Sequence, residues 1–137
     1  MTRVFNYTLM ATAVTLAALT AVTARPALAH HSFTMFDQSK TVTLRGSVKD
    51  FRWTNPHVFI QLLVKAEGGS EVEWSIEMTS PEHLARVGWR PGTLKPGDKV
   101  SLEVHLMRDG TAGAQYVSGT GPDGPLAGSP APQGPGK

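Results

Sequence analysis

His30 and His31 stand side by side directly after Ala27-Leu28-Ala29. If the chain is cut after Ala29, His30 gains a free α-amine beside its imidazole. The amine and Nδ1 then close a six-membered chelate on one metal ion, and because the second donor is intramolecular its ordering cost is small. A free α-amine has a pKa of about 7.7–8.0, so a metal ion displaces its proton near neutral pH. Nitrogen donors in this arrangement favour Cu(II), and Zn or Ni less specifically. His31 offers a further imidazole. The plainer reading of the pair is a frayed, solvated terminus.

Three more histidines complete the set of five, and there is no cysteine. His57 closes Trp53-Thr54-Asn55-Pro56-His57, where Asn-Pro initiates a turn ahead of a strand. It is expected on the outward face, near Phe51, Trp53 and Phe59, either as a third ligand or as a hydrogen-bonded rim histidine. His105 is expected outward beside Glu103 and Met107, as a ligand or as a solvated side chain. His83 falls in the first turn of a short helix and is expected to be exposed. No His-x-x-x-His or Cys-x-x-Cys spacing is present, so a metal site would have to be assembled in space from separate elements. Thioethers select Cu(I); Met35 and Met107 are the outward candidates, whereas Met78 falls in the core pattern. Glu71, Glu73 and Glu77 share one strand face, where outward acids are ordinarily solvated. Glu77, close to the helix start, is the best placed of them. Ser32 and Ser80 lack a Gly-x-Ser-x-Gly context, so no nucleophile motif is present.

The elements that must position these residues show in the alternation of apolar and other residues, the mark of half-buried strands. One set is Val42, Leu44, Gly46 and Val48; a second is Val58, Ile60, Leu62 and Val64. A third is Val72, Trp74, Ile76 and Met78; a fourth is Val100, Leu102, Val104 and Leu106. A weaker fifth strand runs from Gln115 to Ser118. Glu67-Gly68-Gly69-Ser70 reads as a hairpin turn, and Lys95-Pro96-Gly97-Asp98 as a type II turn. Ser80, Pro81 and Gly88 bracket a short helix as N-cap, first turn and C-terminal αL residue, with Leu84 and Val87 facing inward. The order strand, strand, strand, helix, strand, strand predicts a mainly β fold, a small five-stranded OB-like barrel with one short helix between strands 3 and 4. An open sandwich or roll is the alternative. On the barrel's outer face, Phe51, Trp53, Phe59 and Gln61 form a candidate ligand face.

Residues 1–29 read as a cleaved signal peptide: a positive start at Arg3, an uncharged run from Leu9 to Ala24, and an Ala-x-Ala cleavage site. The run is short of the ~20 residues that span a bilayer, so no stable membrane insertion is expected after cleavage. The protein is therefore expected to be periplasmic or secreted. The whole chain has 13 Lys+Arg against 11 Asp+Glu. The signal removes Arg3 and Arg25 and no acid, which leaves the remainder balanced. With no basic run to track phosphates, a nucleic-acid partner is disfavoured. Residues 30–118 are expected to form the barrel domain with its His-rich N-terminal arm. Residues 119–137, mostly Gly, Pro, Ser and Ala, are expected to be a disordered tail.

These motifs together resemble a family of small exported bacterial proteins catalogued as domain of unknown function 6152. The resemblance rests on Ala29-His30-His31-Ser32-Phe33 with Met35-Phe36-Asp37, Gly46-Ser47-Val48, Trp53-Thr54-Asn55-Pro56-His57, Glu77 with Ser80-Pro81, Leu84, Arg86, Gly88-Trp89, Leu94-Lys95-Pro96-Gly97-Asp98 and Arg108-Asp109-Gly110. It implies export and a common fold and supplies no catalytic residue. It also implies that His30, His31 and His57 are the positions to watch. Two functions follow as expectations. One is a periplasmic protein that binds or delivers a transition metal, copper above all, through His30, His57, and His31 or His105. The other is a metal-free binding or accessory module for an envelope partner, using the outer aromatic face. Binding is expected ahead of catalysis, since a His-brace oxidase would also need an open coordination position and a substrate surface.

Overall fold

A computed structural model of the protein describes residues 34–129. The alternating segments form β1 (Val42–Arg52), β2 (Phe59–Lys65), β3 (Glu71–Glu77), β4 (Lys99–Leu106) and β5 (Gly113–Gly121). Helix α1 (Pro81–Arg86) lies between β3 and β4, and a short β6 (Gly124–Leu126) follows β5. The strands pair antiparallel in the order β3-β2-β1-β4-β5-β6, and a parallel contact between β3 and β5 closes the first five into a barrel. This is the expected mainly β, OB-like architecture. The register shows how steeply the strands tilt. A circuit that leaves β1 at Arg52 crosses Phe59, Glu77, Gln115 and His105, and returns beside Val42 at the other end of β1. Neighbouring residues therefore follow a spiral around the barrel.

Leu44, Val48, Ile60, Leu62, Ile76, Leu102 and Val104 fill the interior in the phase that the alternation assigns. Burying each such aliphatic side chain contributes about 1.5–3 kcal/mol. Helix α1 is built as its flanking residues dictate. The Ser80 Oγ accepts the His83 backbone N–H at 3.4 Å, Gly88 adopts φ 102°, and Leu84 is fully buried. Val87, expected inward with Leu84, is instead exposed. The helix has ended by then, and Val87 caps it at φ −100°.

Two further expectations are corrected. A β-bulge interrupts the β1–β2 register between Val48 and Asp50. Lys49 is the extra residue, and it reverses the alternation after it. Phe51 consequently pairs with Ile60 and turns to the core side, where it packs on Trp89 at 5.8 Å between ring centroids. Trp53 follows it, packed edge-on against Phe51 at 6.0 Å. The second correction is the tail boundary at Gly119. β5 continues to Gly121 and β6 pairs back on it. Beyond β6, the Ala127 carbonyl accepts the Trp89 indole N–H at 3.0 Å and the Tyr116 hydroxyl at 2.9 Å. Burial pushes the Tyr116 phenol pKa up, which keeps it a donor. Gly119, one of the glycines that make this stretch look disordered, serves close packing. A Cβ on Gly119 would stand 2.7 Å from the Leu102 side chain and 2.9 Å from the Ser101 carbonyl. The expected signal peptide, His30, His31 and residues 130–137 lie outside the described residues.

Candidate functional site

His57 sits in the loop between β1 and β2, two residues before β2 begins. The Asn55-Pro56 bond in that loop is cis, and the Thr54 hydroxyl donates to the His57 carbonyl at 3.3 Å. Next door, Val58 is anchored to the end of β3: its N–H donates to the Thr79 carbonyl, and its own carbonyl accepts from Met78 N–H at 2.8 Å. This clasp sets the His57 ring beside Glu77, the last residue of β3. The His57 Nδ1–H donates to the Glu77 carboxylate, and both side chains are largely shielded, 28% and 19% exposed. A carboxylate on Nδ1 orients an imidazole and leaves Nε2 as the nitrogen free to take a proton or a metal ion.

His105 lies on the outer face of β4 and has the same arrangement with a different acceptor. Its Nδ1–H donates to the Lys40 carbonyl at 3.0 Å. Only a donor can face a carbonyl, so in the neutral ring Nε2 is the nitrogen left to accept. The two rings belong to separate places. In the register, His105 is three steps from Phe59, by way of Glu77 and Gln115, and His57 lies two residues before Phe59. Among the described residues, no three of His, Asp and Glu form a group able to hold a metal ion. His83 is exposed on α1, with Nδ1 near the hydroxyls of Ser80 (3.2 Å) and Thr79 (3.4 Å).

The arm that leads into β1 is held against the end of β4. Asp37 N–H donates to the Leu106 carbonyl at 2.8 Å, and Arg108 N–H donates to the Met35 carbonyl at 2.9 Å. Phe36, paired with Met107, is buried outside the barrel core. The Ser39 hydroxyl and N–H both donate to the Asp37 carboxylate, at 2.6 and 3.2 Å. They hold that carboxyl below its ordinary pKa, with Arg108 and Lys40 adding to the effect.

The candidate ligand face does not assemble as expected. Phe51 and Trp53 lie on the core side. Gln61 is outward but buried, its amide donating to Ser75 Oγ at 3.1 Å. Phe59 remains half-buried on the outer face opposite Glu77. What replaces that face is a row in which Phe59, Glu77, Gln115 and His105 are successive register neighbours. Gln115 contributes an Oε1 that is buried without a partner among the described residues. Glu77 is the partner of His57 that periodicity did not single out. Its pairing with His57 spans twenty residues of sequence; its hints in the sequence were its place next to the helix start and its place among the residues that carry the family resemblance.

The model of a family of unknown function, DUF6152, matches residues 18–116. No curated protein and no solved structure matches the chain.

Proposed function

The chain belongs to the DUF6152 family, whose function is unknown, and on that premise we propose that it is an exported transition-metal-binding protein. Copper is the metal, His30 and His57 are its principal ligands, and its role is binding or delivery. The observation that carries this reading is the hydrogen bond from His57 Nδ1 to Glu77. Metal-ligating histidines almost always give their other ring N–H to a carboxylate or carbonyl, which fixes the tautomer and raises ligand basicity. His57 has that support within the fold. The chelate formed by the α-amine and Nδ1 of His30 supplies the further nitrogens, and His31 is available to complete the set. His105, on β4 and three register steps from Phe59, is left as a separate single imidazole.

The test is Cu(II) titration of the protein as its host cell processes it, followed by EPR. A His57→Gln form and a form with one alanine inserted before His30 are compared with it. Both changes are expected to weaken binding at least tenfold and to alter the copper spectrum. Equal affinity and an identical spectrum after the alanine insertion would remove the terminal amine from the site. The same result for His57→Gln would remove the imidazole, and failure of the unaltered protein to bind would end the proposal.

A further inference from the structure

At the far end of β2 from His57, a groove crosses the outside of the barrel. Gly46 is the reason β1 and β2 meet there. The backbones approach so closely that a Cβ at this position would stand 2.2 Å from the Leu63 carbonyl oxygen. The groove has a volume of about 310 Å³, and Arg45, Leu63, Lys65, Glu71, Lys99 and Val100 are among the residues that line it. Its cations come from three strands: Arg45 from β1, Lys65 from β2 and Lys99 from β4. Elsewhere on the sheet, basic side chains are matched, Lys49 with Glu73 at 2.5 Å and Arg52 with Asp50 at 3.1 Å. Among the described residues, the three groove cations form no ion pair. That includes Lys65, although Glu71 is its register partner across the β2–β3 hairpin.

Unpaired surface lysines are ordinary when scattered. Here three cations and one acid converge on a single concavity whose lining also includes the aliphatic Leu63 and Val100. We propose that this groove binds a small amphiphilic anion. An acidic head, carboxylate or phosphate, sits against Arg45, Lys65 and Lys99, and a short apolar body lies on Leu63 and Val100. The arginine fork suits a planar or tetrahedral oxyanion, and the lysines add charge without demanding geometry. Small-molecule sites measure about 300–1,000 Å³, so this one has room for a head and a few methylenes. The proposal is independent of the metal reading and involves none of the same residues.

The test is an NMR titration of the ¹⁵N-labelled processed protein with octanoate. Octyl phosphate, acetate and octyltrimethylammonium are run beside it. Octanoate or octyl phosphate is expected to produce saturable shifts at residues 45–47, 63–65 and 99–100. Acetate is expected to bind at least tenfold more weakly, and the cationic amphiphile to leave those residues unmoved. The double substitution Arg45→Gln/Lys99→Gln should weaken octanoate at least tenfold with the remaining spectrum unchanged, while Lys49→Gln leaves the affinity as it was. Unsaturable shifts, undiminished affinity in the double variant, or acetate binding as tightly as octanoate would each overturn the proposal.

Discussion

At His57 the two ring nitrogens have different tasks, and Glu77 decides which is which. Removing the carboxylate charge while keeping its shape separates orientation from ligation. Glu77→Gln is expected to lower Cu(II) affinity by about 10–100-fold, the usual cost of losing such a partner, with the fold intact by circular dichroism. Competition with a chromophoric chelator measures it, and unchanged affinity would leave Glu77 a purely structural partner. Asp37 gives a second residue-level expectation, with a defined sign. Its folded pKa lies below the ordinary 3.8 because Ser39 donates to it twice. Its contribution to holding the arm is therefore complete above about pH 4 and is lost only as pH falls through that depressed value. NMR should show the amides of residues 35–38 shifting with a midpoint below 3.8, and Asp37→Asn should abolish the step. The sequence pointed to His57 through Asn55-Pro56, whose turn chemistry is local. Glu77 stood out from the other two acids on its strand face only by its place near the helix start and in the family resemblance; its pairing with His57 was not legible, because it comes from what β2 and β3 bring together.

At the scale of elements, strand phase was readable and its interruption was missed. Val42, Leu44, Gly46 and Val48 keep period two, and the next inward residues are Phe51 and Trp53. The three-residue step from Val48 to Phe51 is the mark of the bulge in the sequence itself. Extending the alternation straight across Lys49 placed two aromatics on the wrong face. Gly46 shows how tightly β1 is held before that point. Gly46→Ala would drive a methyl group into the backbone of β2, where neither strand can yield alone. It should destabilise the protein by about 1–3 kcal/mol, the usual range for overpacking, as measured by urea unfolding. Gly92→Ala, with nothing within 4 Å of the added carbon, is the comparison and should change stability little.

For the molecule as a whole, the barrel was legible because element order and short turns constrain topology strongly. Its C-terminal closure was not, because composition reports side chains whereas the closure depends on a backbone carbonyl. Ending the chain at Gly121 would remove β6 and strand two buried donors, Trp89 Nε1–H and Tyr116 O–H. Each unsatisfied buried donor costs about 1–3 kcal/mol, so this truncation should lower stability by several kcal/mol relative to a chain ending at Ser129. Equal denaturation midpoints would show that the Ala127 carbonyl is dispensable. The same hydrogen bond gives the protein an internal fluorophore. Of its three tryptophans, Trp53 and Trp74 are only partly buried, whereas Trp89 is sealed from solvent at 1% exposure with its indole nitrogen tied to Ala127. Release of residues 124–129 would wet that ring and shift its emission to the red. The state of the chain's far end can thus be followed by light from the middle of the sequence, without a label.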